Sequence, residues 1–143
     1  DGSTWKHLYI PAGGSKTPLT PELLAARQDR LIMNGREVYK IAVRSLVDAA
    51  QKILEKNGLT AKDVDLVTAH QANLRISEMV QRSLELRDDQ VWNNIQKYGN
   101  TTAASIPLAL EEAIGARGVQ RGDLVALAAF GAGFTWASAL LRW

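Results

Sequence analysis

The sequence predicts an α/β fold with a mixed, mainly parallel sheet of five strands and helices packed on its faces. Two observations predict it. Short apolar, β-branched runs alternate with segments of helical periodicity, and the elements follow the order β-α-β-α-β-α-β-β. A chain of 143 residues is long enough to bury roughly 68–70% of its unfolded surface. We therefore expect a single domain over residues 1–143.

The first half of the chain contains a strand, an extended loop and the longest helix. Residues 6–14 are β-rich and end in proline and glycine, and three prolines up to Pro21 favour a loop followed by a short helix. Over residues 37–56 apolar side chains recur at steps of three and four, and Asn57-Gly58 is a stop signal. This pattern predicts a helix over 37–56.

The second half alternates more regularly. The apolar run 64–69 predicts a strand, and 76–86 returns to helical spacing. Residues 91–95 predict a further strand, and 102–118 a helix rich in small residues. The segment 123–143 reads as two apolar strands joined by a glycine-containing turn. This last hairpin contributes the antiparallel strand of the sheet.

The 102–118 helix predicts a partner surface. Its first three turns carry apolar or small side chains on nearly every side, and a helix that is apolar all round is normally buried all round. Either the helix lies between this sheet and a layer from another domain, or it is shorter than predicted. We expect the first.

The composition excludes several classes of function. The net charge is only +2 and basic residues are scattered, so nothing indicates a nucleic-acid partner. No apolar run approaches the ~20 residues needed to span a bilayer, and the start has no signal-peptide features. We expect a soluble, cytoplasmic chain without a membrane partner. The absence of cysteine excludes disulfides, thiolate zinc sites and a cysteine nucleophile on this chain.

His70 is the first candidate for chemistry, because it follows the 64–69 strand where ligand sites of parallel sheets lie. Gln71, Asn73 and Arg75 come directly after it, a density of polar groups that packing does not require. The alternative is a satisfied, partly buried imidazole with no role in catalysis.

Two other motifs fall at predicted strand ends. In "YGNTTAAS" (98–105), Asn100 is a candidate ligand group, and the alternative is that Asn100 or Thr101 is merely a helix N-cap. In "FGAGFTW" (130–136), the glycines either let backbone N–H groups approach a substrate carbonyl or only form a hairpin turn. The latter motif matches no nucleotide-binding loop. We expect all three motifs to converge on one site.

Together, "HQANLR", "YGNTTAASIPLALEEA" and "FGAGFTWASALLRW" resemble the C-terminal half of β-ketoacyl-acyl-carrier-protein synthase III. This condensing enzyme of the thiolase superfamily starts bacterial fatty-acid synthesis. The resemblance implies a thiolase-like half with three layers, α/β/α, and a five-stranded mixed sheet. It also implies an absent N-terminal half, in the same or a separate chain, whose helix shares the central layer.

The resemblance implies roles for particular residues. The family's Cys-His-Asn triad places its cysteine on the N-terminal half and matches His70 and Asn100 here. The expected substrates are acyl-CoA and malonyl-acyl-carrier protein, with no metal and no cofactor. His70 and Asn100 would then stabilise developing negative charge on the malonyl thioester oxygen. The chain by itself, lacking the cysteine, is expected to be inactive.

The remaining residues implied by the resemblance shape substrate binding. The acyl-site and oxyanion loop comprises Phe130, Gly131, Ala132 and Gly133, where the family often has three consecutive glycines. A methyl group at the middle position could alter the acyl-chain preference.

The other implied contacts are polar. Asn73, Arg75 and Arg36 are expected at CoA or pantetheine, Arg36 at a position where the family has a smaller polar residue. Lys40, Arg75 and Arg82 are expected to contact the acidic acyl carrier protein.

Other functions stay open from the sequence. One alternative is a non-catalytic half-domain that binds CoA or carrier protein or pairs with itself. Another is a related synthase of polyketide or quinolone type. The chain is expected to be a fragment, a subunit with a separate partner or an autonomous half, and the full enzyme a homodimer.

Overall fold

A computed structural model describes residues 1–143. None of its helices is both long and apolar enough to cross a bilayer. Four short 3-10 helices lie at Gly2–His7, Ala61–Asp63, Asp88–Gln90 and Thr102–Ala104. The strands are β1 (Leu8–Tyr9), β2 (Ile32–Met33), β3 (Leu66–Ala69), β4 (Leu124–Gly131) and β5 (Thr135–Arg142). The α-helices are α1 (Pro21–Ala25), α2 (Gly35–Lys56), α3 (Leu74–Ser83), α4 (Ile95–Tyr98) and α5 (Ser105–Arg117).

The backbone groups into two compact units. The first unit comprises Asp1–Ile41 with Gly131–Thr135, and the second comprises Ala42–Phe130 with Trp136–Trp143. The chain passes between them within α2 and at both ends of the turn between β4 and β5. The expected single domain over residues 1–143 stays a prediction.

The first unit contains a small antiparallel sheet of β1 and β2. Helix α1 begins with Pro21 in its first turn, and Thr20 Oγ1 caps it by accepting from the N–H of Leu23 at 3.3 Å. Phe134 is completely buried and stacks on His7 with ring centroids 6.2 Å apart. The Phe134 ring therefore anchors this unit.

The second unit is built on a three-stranded sheet in the order β3-β4-β5. Strands β3 and β4 are parallel, from Leu66 opposite Val125 to Ala69 opposite Ala128. All four residues of β3 are buried, as expected for a strand covered on both faces. A three-residue turn joins β4 to its neighbour β5, which must therefore run antiparallel. The mixed sheet and its antiparallel last strand agree with the prediction.

The number of strands in the sheet was predicted wrongly. Instead of five strands in one sheet there are three, with β1 and β2 forming a separate pair. The predicted strand 91–95 is reduced to a single parallel bridge between Val91 and Val67. Beyond it, the N–H groups of Asn94 and Ile95 donate to Gln71 Oε1, at 3.1 and 3.2 Å. Because a side chain takes these donors, the segment cannot continue a ladder and instead enters α4.

Helix α5 is shorter than the predicted 102–118, since a 3-10 turn precedes it and Gly118 ends it with φ 66°. Its buried face is formed by Ser105, Ala109 and Ala113, and Ala113 packs with Leu66 and Val125. Leu108, on another face, is 40% exposed. Burial on all sides would need a layer that these 143 residues do not provide, and that layer stays a prediction.

Candidate functional site

The site is organised around His70, which directly follows β3. Its backbone N–H donates to Ala128 O at 2.8 Å, extending the ladder between β3 and β4 by one residue. The carbonyl of His70 accepts from Ala72 N at 3.1 Å, which starts a tight turn. The ring is partly buried. The parallel sheet therefore fixes the imidazole at the carboxyl edge of its strands, as predicted.

Ser105 joins His70 to the second motif. His70 Nδ1 lies 2.6 Å from Ser105 Oγ, and the N–H of Gln71 donates to the same oxygen at 3.2 Å. Ser105 is the first residue of α5 and is 1% exposed. The "HQANLR" and "YGNTTAAS" motifs therefore meet in space through a residue that the sequence did not single out. Only its position inside the second motif could have pointed to it.

Gln71, one of the polar residues that packing was not expected to require, has a structural role. It is 3% exposed, and its Nε2 donates to Ala69 O at 2.9 Å. Its Oε1 accepts both N–H groups at the start of α4. The amide thus bridges the end of β3 to the segment that leads to Asn100.

Asn100 is exposed and belongs to the turn before α5. Its Oδ1 accepts from the N–H of Thr102 at 2.9 Å, and Thr102 has a left-handed φ of 51°. The N-cap of the following 3-10 helix is Thr101, without a side-chain cap bond, so a simple capping role for Asn100 is not what the structure shows. Because Oδ1 is engaged, the amide orientation is set and Nδ2 is left to donate.

His70 and Asn100 both lie in the second unit, and each side chain can offer an N–H donor. Neither "HQANLR" nor "YGNTTAAS" contains a carboxylate. Such N–H donors suit an oxygen that gains negative charge during a reaction. Neither residue has the carboxylate neighbour that usually raises the basicity of a histidine. The roles of His70 and Asn100 in catalysis stay predictions.

Burial of the ring lowers the pKa of His70 below its usual value of about 6.5. Since the unfolded chain then binds this proton more tightly, the free energy of unfolding should decrease as the pH falls below about 6.5. We expect an NMR titration of the His70 ring to show a midpoint below that value. His70→Gln should lose this part of the pH dependence in urea unfolding. A midpoint at or above 6.5 would contradict the prediction.

The glycine motif forms the turn between β4 and β5. Gly133 and Phe134 adopt left-handed φ angles of 73° and 50°, and Ala132 is exposed. Thr135 Oγ1 donates to Ala132 O at 3.4 Å. The hairpin alternative is therefore correct as a description of the backbone, and the role of Phe130, Gly131, Ala132 and Gly133 at an acyl site stays a prediction.

The polar residues expected at CoA and the carrier protein lie on two helices. Arg75 and Arg82 are exposed on α3, and their spacing of seven places them on one face. Asn73 caps α3, with Oδ1 accepting from Arg75 N at 3.0 Å. These contacts neither support nor oppose binding of a carrier.

The two expected contact residues on α2, Arg36 and Lys40, belong to the first unit. Lys40 pairs with Glu37 at 2.9 Å and is exposed, as is Arg36. An exposed pair of this kind contributes little to stability, so it leaves Lys40 accessible to another anion.

Comparisons with known proteins identify the family to which this chain belongs. Residues 54–143 match the family described as 3-oxoacyl-[acyl-carrier-protein] synthase III C terminal. A β-ketoacyl-[acyl-carrier-protein] synthase III from Caldanaerobacter subterraneus subsp. tengcongensis is 44% identical over 143 residues, all of this chain and 43% of that protein. The crystal structure of 3-oxoacyl-[acyl-carrier-protein] synthase III from Aquifex aeolicus VF5 is 40% identical with a TM-score of 0.85, covering all of this chain and 42% of the other.

A third relative is the priming β-ketosynthase of the R1128 polyketide biosynthetic pathway. It is 31% identical, with a TM-score of 0.83, over 99% of this chain and 42% of its own. The fold is that of one thiolase-like α/β half, and the predicted fold class is confirmed. The chain belongs to the 3-oxoacyl-[acyl-carrier-protein] synthase III C-terminal family. It spans less than half the length of the curated relatives it matches.

Proposed function

We propose that this chain is the C-terminal catalytic half of the condensing enzyme that initiates fatty-acid synthesis. The enzyme joins an acyl-CoA starter to malonyl-acyl-carrier protein by a decarboxylative Claisen condensation. The observation that carries the proposal is the hydrogen bond between His70 and Ser105, which ties the end of β3 to the start of α5, just beyond the turn that bears Asn100. The two candidate donors thereby lie in segments that this bond connects, in a chain similar to β-ketoacyl-[acyl-carrier-protein] synthase III proteins.

In the first half-reaction a cysteine thiolate from the N-terminal half attacks the acyl-CoA thioester, and CoA leaves as the thiol. In the second, the malonyl thioester loses CO₂ and the electron pair of the broken bond passes to its α-carbon and carbonyl oxygen. The carbanion attacks the acyl-enzyme and releases the cysteine thiolate. The reaction as proposed needs no metal or other cofactor.

His70 and Asn100 act in the second half-reaction. An imidazole N–H and an amide N–H donate to the thioester oxygen while it carries the negative charge of the enolate. Fixed donors of this kind lower the barrier because they need no reorganisation when the charge appears. The lowered pKa of His70 keeps the ring neutral at pH 7, so that it acts as a donor and leaves the carbanion unprotonated.

The partners follow the same proposal. Arg75 and Arg82, with Lys40 of the first unit, would attract the acidic carrier protein, and Asn73, Arg75 and Arg36 would contact pantetheine or CoA. The residues Phe130 to Gly133 would line the acyl site. The proposed enzyme is a homodimer of full-length chains in the cytoplasm.

The test is a turnover assay with the full-length protein that carries this chain. With acetyl-CoA and malonyl-acyl-carrier protein we expect 3-oxoacyl-carrier protein and one equivalent of CO₂. Alkylation of the N-terminal-half cysteine should abolish product formation. The 143-residue chain alone should also give no product. Saturable CoA binding by the full-length protein without any turnover would contradict the proposal and favour a non-catalytic binding module.

A priming synthase of a polyketide pathway is the second candidate, since one such protein shares the fold at 31% identity. The higher identity to a β-ketoacyl-[acyl-carrier-protein] synthase III, 44% over the whole chain, favours the first. Turnover with the fatty-acid carrier protein and a polyketide carrier protein in parallel distinguishes them, and a preference for the latter would reverse the assignment.

A further inference from the structure

Ser105 lies beside His70 in a buried position that no substrate can reach directly. Its Oγ is 2.6 Å from His70 Nδ1 and accepts from the N–H of Gln71 at 3.2 Å. Its side chain is 1% exposed, so that it depends on these two partners for its hydrogen bonds. The proton on the hydroxyl must therefore be accounted for within this cluster.

Counting protons decides the direction of the bond between Ser105 and His70. The N–H of Gln71 can only donate, so the serine oxygen accepts from it. If Nδ1 of His70 also donated, the oxygen would accept twice and its own proton would lack an acceptor in a buried site. If the hydroxyl instead donates to Nδ1, every group is satisfied. A neutral His70 then carries its proton on Nε2.

Rigid elements hold both residues of the Ser105–His70 hydrogen bond. Ser105 occupies the first turn of α5, on the same buried face as Ala109 and Ala113. His70 is attached to the ladder of β3 and β4 through its N–H bond to Ala128. Small movements of the imidazole are therefore opposed from both sides.

We propose that Ser105 is a positioning residue that selects the Nε2–H tautomer of His70 and holds the ring in one orientation. This inference rests on the proposed function, because it concerns the donor that faces the enolate oxygen. Ser105 touches no substrate and acts through His70. Without its hydroxyl, a fraction of His70 would carry the proton on Nδ1 and present a lone pair to the developing negative charge.

The experiment combines NMR with kinetics on the full-length protein. With ¹⁵N-labelled histidine at pH 7.5, wild-type His70 should show one tautomer, protonated on Nε2. Ser105→Ala should show a mixture and lower kcat for malonyl decarboxylation about 10- to 100-fold, as losing the hydrogen-bond partner of a metal-bound histidine does elsewhere, with KM changed less. Ser105→Thr, which keeps the hydroxyl, should restore the tautomer and most of the rate. Ser83→Ala, at an exposed serine, is the matched control.

Two results would overturn the role of Ser105. One is a wild-type His70 protonated on Nδ1, and the other is a Ser105→Ala variant with an unchanged tautomer and a rate within twofold of wild type. If Ser105→Ala does not fold, the wild-type tautomer and Ser105→Thr decide the question. Loss of rate in His70→Ala together with an unaffected Ser105→Ala would leave the proposed function standing. An unaffected His70→Ala would refute that function, while the tautomer measurement would still judge Ser105.

Discussion

Replacing either His70 or Asn100 with alanine is expected to slow malonyl decarboxylation by about 10²–10³ in the full-length enzyme. Under the proposed function, each substitution removes one N–H donor from the oxygen that becomes negatively charged when CO₂ leaves. The side chains are partly buried and exposed, respectively, so neither change should prevent folding. The measurement is the release of CO₂ from malonyl-acyl-carrier protein, without an acyl starter so that condensation does not obscure it.

Matched controls are available for both variants. Asn57→Ala replaces an exposed asparagine whose Nδ2 donates only to Ile53 O, at 2.7 Å, at the end of α2. His7→Ala replaces the other histidine of the chain, which lies in the first unit. Both controls should keep the decarboxylation rate within about twofold. If His70→Ala and Asn100→Ala also stay within twofold, the assignment of the two donors is wrong.

Replacing Gln71 with alanine is expected to lower the free energy of unfolding by about 2–5 kcal/mol, since an unsatisfied buried donor costs about 1–3 kcal/mol. The variant leaves the N–H groups of Asn94 and Ile95 without the acceptor they have at 3.1 and 3.2 Å. It also removes the donor to Ala69 O. Urea unfolding of the full-length protein, followed by circular dichroism, measures the change.

Gln96→Ala is the control for Gln71, because Gln96 is exposed and its Nε2 donates to a backbone carbonyl, Asn93 O, at 3.3 Å. We expect that variant to change stability by less than about 0.5 kcal/mol, as surface substitutions usually do. Gln71→Ala should also slow turnover, because it loosens the bridge between the β3 end and the segment before Asn100. Equal stability of the two variants would show that water replaces the lost acceptor.

The helices and strands that the sequence predicted best are those stabilised by local or repeating interactions. The predicted helix 37–56 corresponds to α2, Gly35–Lys56, and the strand 64–69 contains β3, Leu66–Ala69. Apolar residues at steps of three and four define one buried helix face whatever the rest of the chain does. The hairpin around Gly133 was also predicted from a local feature, because a residue with a left-handed φ is favoured to be glycine.

The predicted strand 91–95 failed because a distant side chain competes for its backbone. Valine and tryptophan in this segment favour a strand, but Gln71 takes the N–H groups of Asn94 and Ile95. That residue is more than twenty positions away along the chain, and no local pattern signals its reach. The same limit explains why the structural role of Gln71 was not predicted.

The sequence by itself determined the family, the helix α2, the strand β3 and the identity of His70 and Asn100 as candidate donors. Residue types and their spacing within short motifs carry this information, because they depend on neighbours along the chain. Only the tertiary structure decided that Ser105 meets His70 across 35 positions. It also decided that the buried Gln71 side chain connects the end of β3 to the start of α4. Hydrogen bonds between distant segments form only after the sheet and α5 have packed together, so their partners are set by the fold as a whole.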